Sequence, residues 1–307
     1  MSKVVLITGA TGKQGGATID ALLASPRASE FTILGVTRNP SSPSAQKLLS
    51  KGSNVKVIKG DLNDCSGIFE AAKNEVSESV WGVFSVQIPM GNGQTVETEE
   101  KQGKALVDEA LKNGVKHFVY TSVDRQGDKS YDNPTSVPHF VSKHNIEHHL
   151  VDSTKGTDMG WTILRPTAFF EGIAPGMMGR VFVATFRMVL KDRPVQFISV
   201  PDIGHFAAEA FLNPDKFNGR AISLAGDELT FAQIQQIFKE KTGTDLPESY
   251  SIFATLLLWM VKEVNIMMKW FHDEGYGVDI PALRKEYPGL MDFGSYLEKR
   301  SGFEIKK

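Results

Sequence analysis

The sequence predicts an α/β protein with a doubly wound parallel sheet and a smaller, mainly helical C-terminal lobe. Two observations lead to this fold class. Apolar runs of strand length alternate with amphipathic helical patterns through the first half of the chain, which is typical of a parallel sheet covered by helices on both faces. The first run, at residues 4–8, leads directly into a glycine-rich turn at residues 9–16, and a helical pattern follows through Leu23. Doubly wound sheets often open with a strand, a glycine turn and a helix in this order.

The predicted elements alternate regularly as far as Arg165. Strands are predicted at residues 4–8, 31–36, 55–58, 80–86, 117–121 and 161–164, and helices at residues 17–23, 67–73, 97–112 and 139–152. Beyond Pro166 the alternation weakens: helices are predicted at residues 181–190, 202–212 and 230–241, and strands at residues 195–199 and 221–224. We therefore predict a first domain at residues 1–166 and a smaller substrate- or partner-binding lobe at residues 167–307, with some strands returning to the main sheet.

Residues 252–270 are the one stretch whose apolar composition suggests a membrane. Lys262 and Lys269 interrupt it, and no uncharged run approaches the roughly 20 residues that a spanning helix needs. We instead predict a helix of the smaller lobe with one apolar face that packs in the core, formed by Phe253, Leu256, Leu257, Met260 and Val261. No membrane contact is predicted.

Charge and cysteine content narrow the class of protein. Lys and Arg number 34 against 36 for Asp and Glu, a formal net charge of -2 that gives no basic footprint for direct nucleic-acid binding. Cys65 is the only cysteine, so an internal disulfide is excluded and a reducing compartment is expected. A strand that begins at Lys3 leaves no room for a presequence. We expect the cytoplasm, with the nucleus as an alternative, and we interpret Cys65 as a small buried residue rather than a reactive thiol.

The glycine-rich turn predicts a dinucleotide site. Gly9 permits the tight turn, Gly12 lets the backbone approach a pyrophosphate, and Gly15 or Gly16 allows close packing of helix and strand. The start of the following helix offers N–H groups and a positive dipole to phosphates. The alternative is a glycine turn that binds no ligand.

The end of the second predicted strand favours NADP over NAD. NAD sites usually end this strand with an acid that accepts from the ribose 2′-hydroxyl, whereas an arginine there meets a 2′-phosphate. The strand ends in Thr37 and Arg38, with no acid nearby. Asn39, Ser41 and Ser42 add neutral donors around it.

Six segments in a fixed order resemble the NmrA-like family of atypical short-chain dehydrogenases. They are Gly9-Ala10-Thr11-Gly12-Lys13-Gln14-Gly15-Gly16, Thr37-Arg38-Asn39-Pro40, Gly60-Asp61, Lys101-Gln102-Gly103-Lys104, His139-Phe140 through Lys143, and Arg165-Pro166-Thr167 with Phe169-Phe170-Glu171. The resemblance covers essentially the whole chain. It implies an NADP-binding Rossmann fold that redox-sensing regulators share with true reductases, including plant isoflavone reductase-like enzymes.

The resemblance also implies which residues contact the dinucleotide. They are Gly9, Ala10, Thr11, Gly12, Lys13, Gln14, Gly15, Arg38, Asn39, Pro40, Ser41, Ser42, Asp61, Leu62, Val86, Gln87, Ile88, Lys101, Lys143, Phe169, Phe170, Glu171 and Gly172. Asp61 follows the third strand, where a carboxylate can accept from the adenine amino group, and Phe169 follows the sixth, near the expected place of the nicotinamide. Lys101 has a simpler interpretation as a surface lysine.

The candidate catalytic residues are Ser122, His139 and Lys143. Short-chain dehydrogenases usually place Tyr four residues before Lys, so that the lysine lowers the pKa of the phenol that protonates the substrate. Ser122 and Lys143 fit the serine and lysine places, but His139 occupies the tyrosine place. Three interpretations remain open: His139 replaces tyrosine as the acid, Lys143 acts alone as in the isoflavone reductase-like relatives, or the site binds NADP without catalysis. Ser122 and His139 also have purely structural interpretations, as a turn cap and a helix start.

The pattern His144-Asn145-Ile146-Glu147-His148 matches a zinc-protease motif. No third ligand is evident, so a solvated or interface face is favoured and no metal is predicted.

The sequence favours an NADP(H)-binding regulator that senses redox state, has weak or no turnover and acts on a protein partner. The alternatives are an NADPH-dependent reductase of a small aromatic or enone-like substrate and a scaffold with a vestigial site. The oligomeric state is not predicted.

Overall fold

The computed structural model describes residues 2–91 and 93–306. Its strands are β1 Lys3–Ile7, β2 Phe31–Thr37, β3 Val55–Lys59, β4 Val80–Ser85, β5 His117–Thr121, β6 Gly160–Pro166, β7 Ala168–Phe169, β8 Val195–Ile198, β9 Arg220–Leu224 and β10 Asp227–Leu229. Its α-helices are α1 Lys13–Ala24, α2 Pro43–Leu49, α3 Cys65–Glu75, α4 Val96–Lys112, α5 Pro138–Thr154, α6 Met177–Leu190, α7 Val200–Leu212, α8 Pro214–Phe217, α9 Phe231–Thr242, α10 Ser251–Met260, α11 Lys262–Asp273, α12 Ile280–Glu286 and α13 Phe293–Lys299.

The main sheet has the strand order of a doubly wound fold. Seven strands lie in the order β3-β2-β1-β4-β5-β6-β9. Each pair of neighbours among the first six strands of the chain is parallel. Leu6 of β1, for example, lies opposite Leu34 of β2 and Val83 of β4. The order reverses between β1 and β4, and ligands of such sheets bind beyond the carboxyl ends of the strands at this reversal. The predicted fold class is confirmed.

Two compact units divide the chain. The first contains Met1–Ser122, Ser142–Arg165 and Ile203–Ile222, and the second contains Val123–Val141, Pro166–Asp202 and Ser223–Lys307. After Asp202 the chain returns to the first unit with most of α7. Gly204 allows that return: a Cβ atom there would lie 2.5 Å from the backbone of Ala17 on α1.

Each unit has a core of its own. In the first unit, apolar residues of the sheet such as Leu6 pack with Ile68 on α3 and Leu106 on α4, all fully buried. Cys65 belongs to this core, and desolvation raises the pKa of its thiol to about 12, which agrees with a small buried residue. In the second unit a small sheet in the order β10-β8-β7 packs with helices around Phe170.

The prediction of one helix at residues 252–270 is wrong. The structure has two helices, α10 and α11, bent by 109° at Val261. Three residues of the face that was expected in the core are exposed, with relative exposures of 45% for Phe253, 46% for Leu256 and 66% for Met260, whereas Leu257 and Val261 are half-buried. α10 is apolar on nearly every side, so its sequence carries no periodic signal for a buried face or for its end. No single helix in the described residues is long and apolar enough to span a membrane.

Candidate dinucleotide site and catalytic residues

The glycine turn after β1 has the geometry of a phosphate-binding loop. Gly9 has a φ of 57°, in the left-handed region that glycine tolerates, and the N–H of Gly12 donates to its carbonyl at 2.8 Å. A Cβ atom at Gly15 would lie 2.4 Å from the same carbonyl oxygen, so only glycine lets α1 lie this close to the turn. Gly12 precedes α1, and no side chain of the described residues caps this helix. An uncapped helix start favours an anionic group.

A threonine joins the glycine turn to the end of β4. The hydroxyl oxygen of Thr8 accepts from the N–H of Val86 at 2.9 Å, and Gln14 on α1 accepts from the hydroxyl of Thr121 at the end of β5 at 2.6 Å. The predicted segments after β1 and β4 are therefore held side by side at the switch point of the sheet.

Gln87 contributes a buried oxygen atom that lacks a donor. Its side chain is 4% exposed, and its Nε2 donates to the hydroxyl of Ser85 at 2.8 Å. Its Oε1 has no hydrogen-bond partner among residues 2–91 and 93–306. A buried carbonyl oxygen in this state costs about 1–3 kcal/mol. A ligand that donates to it, through an amide or a ribose hydroxyl, removes this cost, so the residues present fit a nicotinamide dinucleotide. Ile88, by contrast, is 51% exposed.

The segment after β2 presents Arg38 to solvent. Its guanidinium is exposed, and within the described residues it makes no hydrogen bond or ion pair. The side chain of Asn39 accepts from the N–H of Ser41 at 3.1 Å, and Ser42 caps α2 by accepting from the N–H of Ala45. A turn fixed by its own side chains thus leaves Arg38 available for a phosphate.

The predicted residues after β3 lie at the same edge of the sheet, whereas Lys101 lies on a helix surface. Asp61 and Leu62 are half-buried, and Asp61 Oδ1 accepts from the N–H of Asn63 at 2.9 Å. Lys101 is exposed on α4, next to the buried Gln102. Contact between Lys101 and a dinucleotide stays a prediction.

Lys143 is held by a carboxylate that the sequence analysis did not single out. Its Nζ lies 2.6 Å from Oε1 of Glu99 on α4, with side-chain exposures of 12% for the lysine and 0% for the glutamate. Oε2 of Glu99 accepts from the hydroxyl of Ser142 at 2.5 Å. Glu99 is the only hydrogen-bond or ion-pair partner of Lys143 within residues 2–91 and 93–306, so two of the three N–H donors of the ammonium remain for a ligand.

The other predicted residues of the first unit have structural contacts. Ser122 is buried, and its N–H donates to the carbonyl of Leu164 at 2.7 Å. Glu147 of the zinc-like pattern is fully buried, and both of its oxygens accept from the guanidinium of Arg165, the shortest contact being 2.6 Å. The carboxylate of Glu147 therefore forms a buried ion pair with Arg165.

His139, in the second unit, is also held by a carboxylate. Its Nδ1 lies 2.6 Å from Oε1 of Glu263 on α11, and the same oxygen accepts from the backbone N–H of His139 at 3.1 Å. The side chains are 9% and 17% exposed. The imidazole meets the ring of Phe140 edge to face at 4.7 Å. Backbone, ring nitrogen and ring edge are all fixed, so His139 has a defined orientation.

The predicted segment after β6 is mostly core of the second unit. The ring of Phe170 is fully buried and stacks on Phe197 and Tyr296 at 5.6 and 5.2 Å. Any contact of Phe170 with a ligand must therefore come from its backbone. Glu171 accepts from the N–H of Val200 at 2.9 Å, and Gly172 leaves no space for a Cβ atom beside Phe182. Phe169 is only half-buried.

Sequence reasoning missed Thr8, Glu99 and Glu263. A signal for Glu99 was present, because α4 buries the face that carries Glu99, Gln102, Gly103 and Leu106, and this spacing marks one side of a helix. Nothing local marks Glu263, which lies 124 residues after its partner.

The fold and the glycine turn at the switch point of the sheet define a doubly wound α/β protein. The model of the NmrA-like family matches residues 1–297, and the chain belongs to that family. An NmrA-like family domain-containing protein of Dictyostelium discoideum is 27% identical to it, with 97% of this chain and 98% of that protein covered. An NmrA-like family domain-containing oxidoreductase of Aspergillus hancockii is 28% identical, with 87% and 82% covered. The structure of triphenylmethane reductase of Citrobacter sp. complexed with NADP(H) superposes with a TM-score of 0.72 at 19% identity, over 96% of this chain and 99% of that chain. At that identity the likeness shows the shared fold.

Proposed function

We propose that this protein is an NADP(H)-dependent reductase of a small aromatic or enone-like metabolite. The observation that carries the proposal is Lys143, whose ammonium is fixed at 2.6 Å from the buried Glu99 with two N–H donors left. An ammonium held in this way presents a fixed positive charge to ribose hydroxyls or to negative charge that develops on a substrate. NADPH supplies the hydride when it is bound.

The surroundings of Lys143 support a working site over a vestigial one. Burial of a charged group costs several kcal/mol unless it is well paired, and α5 carries two candidate catalytic groups, each with a dedicated carboxylate. His139 and Lys143 are four residues apart on this helix, which places them on one face. The oxidoreductase name of the Aspergillus hancockii relative also supports the proposal.

NADP is the favoured cofactor because Arg38, the residue after β2, is exposed at the place where an NAD site carries an acid. The first test is calorimetric titration with NADPH, NADP⁺, NADH and NAD⁺. In Arg38→Ala we expect the affinity for NADPH to fall about tenfold or more, since a hydrogen bond to a charged group contributes about 1.5–3 kcal/mol, while the affinity for NADH stays the same. Lys112→Ala, at an exposed lysine of α4, is the control. Equal losses for both cofactors would contradict the assignment of Arg38.

Turnover tests the reductase itself. NADPH oxidation is followed with quinones and enones as acceptors. We expect Lys143→Met to abolish turnover, whereas Lys104→Met, which breaks a surface pair with Glu100 of the same 2.6 Å length, leaves it intact. Full turnover in Lys143→Met would remove Lys143 from the mechanism.

A redox-sensing regulator is the second candidate, and the exposed face of α10 favours it. Trp259 is 80% exposed and Ile252 71% exposed on a helix without a charged residue. Exposed apolar patches of this kind often mark interaction surfaces. A sensor must bind NADPH and NADP⁺ with different affinity, because a ligand that binds two states equally shifts neither. Equal affinities, together with identical hydrogen-exchange protection in α10, would exclude the sensor.

A further inference from the structure

Gln102 on α4 joins two loops that follow different strands of the main sheet. Its side chain is 5% exposed, and its Nε2 donates to Oδ1 of Asn63 at 3.0 Å and to Oε1 of Gln94 at 2.9 Å. Asn63 lies in the loop after β3, and Gln94 lies in the segment between β4 and α4. A primary amide carries two N–H donors, so both donors of Gln102 are used in this amide bridge.

The amide bridge connects loops whose strands are not neighbours. β3 and β4 are separated in the sheet by β2 and β1, which places their axes about 14 Å apart at the usual strand spacing. The two loops therefore converge between these strands, beside the carboxyl ends of β2 and β1. The glycine turn follows β1 and Arg38 follows β2. The residues of the amide bridge thus border the space between the glycine turn and Arg38, and all of them belong to the first unit.

The amide bridge leaves the N–H donors of Asn63 and Gln94 for a ligand. In both carboxamides the oxygen accepts from Gln102, and within residues 2–91 and 93–306 neither side-chain nitrogen donates to another group. Asn63 is exposed and Gln94 is half-buried, so neither residue is sealed in the core. Because Gln102 holds the two oxygens, it also fixes the direction of the two N–H₂ groups.

Adenosine matches the groups that this part of the first unit presents. Adenine carries an acceptor, N7, next to a donor, its 6-amino group, and carboxamides are the side chains that commonly bind this edge. The loop after β3 offers both kinds of partner, since Asp61 Oδ1 accepts from the N–H of Asn63 at 2.9 Å and its second oxygen can accept from the amino group. In NADP(H) the adenosine lies between the pyrophosphate and the 2′-phosphate, for which the glycine turn and Arg38 are the expected partners.

We propose that Gln102 is a positioning residue that orients the carboxamides of Asn63 and Gln94 to hold the adenosine half of NADP(H). The inference deepens the proposed function and rests on its NADP(H) binding, not on turnover. It also gives a role to the segment Lys101-Gln102-Gly103-Lys104, in which the buried glutamine rather than the exposed Lys101 acts on the nucleotide.

The first arm of the test observes the two N–H₂ groups directly. Adenosine 2′,5′-bisphosphate, the adenosine half of NADP, is added to the protein, and the side-chain amide signals are followed in ¹H–¹⁵N spectra. Asn63→Asp and Gln94→Glu identify the signals, and we expect both to shift on binding. The N–H₂ group of Asn54, which donates to the carbonyls of Ala28 and Phe31 at 3.0 Å each, is the control and should not shift. Signals of Asn63 and Gln94 that stay in place while the bisphosphate binds would overturn the proposal, as would an unmodified protein that does not bind it.

The second arm measures the affinity for the same bisphosphate by calorimetry. We expect Asn63→Ala to lower it about three- to tenfold, as the loss of one hydrogen bond between neutral groups does. Gln102→Leu releases both carboxamides, so the affinity should fall about tenfold or more. Gln236→Leu removes an exposed amide of α9 that donates to Glu240 at 2.9 Å, and this control should bind as the unmodified protein does. An unchanged affinity in Gln102→Leu would contradict the role of Gln102.

A double variant separates positioning from an independent effect. If Gln102 acts through Asn63, Asn63→Ala should cost less affinity in Gln102→Leu than in the unmodified protein, whereas independent effects add. Additive losses would therefore exclude a positioning role, and urea unfolding shows that each variant is folded. Shifted amide signals and coupled losses without turnover of any acceptor would show that the reductase function is wrong while the adenosine site stands.

Discussion

The pair of Lys143 and Glu99 predicts a large loss of stability when only the lysine is removed. In Lys143→Met the carboxylate of Glu99, which is 0% exposed, keeps the hydroxyl of Ser142 as its only partner in the described part of the chain. Loss of one member of a buried ion pair costs about 3–5 kcal/mol. The pair of Lys104 and Glu100 has the same 2.6 Å contact but exposures of 35% and 29%, and pairs of that kind contribute about 0.2–1 kcal/mol. We expect Lys143→Met to lose about 2–5 kcal/mol more than Lys104→Met.

Urea unfolding of the protein without cofactor, followed by circular dichroism, measures the two losses side by side. The double variant Glu99→Leu with Lys143→Met removes the unpaired carboxylate as well, so it should be more stable than Lys143→Met alone. Equal unfolding curves for Lys143→Met and Lys104→Met would refute the reasoning, because a buried carboxylate that tolerates the loss of its cation is not held by that cation.

Two further predictions concern buried polar groups of the first unit. Gln87→Met removes the oxygen that has no partner among the described residues, so the protein without cofactor should be no less stable, while its affinity for NADP(H) should fall about tenfold. Urea unfolding measures the stability and calorimetry measures the affinity. A loss of stability with unchanged affinity would contradict this prediction. Desolvation, and then repulsion by Lys3, lower the pKa of His117 from 6.5 to about 4 in the folded protein. The neutral imidazole therefore contributes about 3 kcal/mol to the free energy of unfolding above pH ~6.5, and this contribution is lost as the pH falls towards 4. Asn in its place can still bond Thr162, so His117→Asn should remove this part of the acid dependence, and an unchanged acid dependence would show that another group causes it.

The main fold was predictable because its signals are local. A buried parallel strand, a glycine turn and a helix start are each formed by consecutive residues. Gly9, Gly12 and Gly15 lie at the positions that the dinucleotide-binding glycine motif requires. The place of α7 was not predictable in the same way. Its amphipathic pattern shows that Phe206 and Phe211 are buried, but periodicity does not tell which unit a helix covers.

The residues that hold Lys143 and His139 could not be named from local patterns. Glu99 precedes Lys143 by 44 residues and Glu263 follows His139 by 124, and only the folded chain joins them. Motif matching found the two basic groups because family motifs record their spacing. It could not show that each has a carboxylate partner, which is the feature that fixes each side chain.

The sequence of α4 nevertheless indicates one of the two carboxylate partners, Glu99. Glu99 shares the buried face with Gln102, Gly103 and Leu106, and a carboxylate on such a face costs several kcal/mol unless a cation or strong donors meet it. A lone acid on an apolar helix stripe therefore predicts a basic partner on a facing element. Applied to this chain, the rule turns Lys143 from a motif match into one end of a buried ion pair, and the contact with Glu99 is what fixes the position of the ammonium.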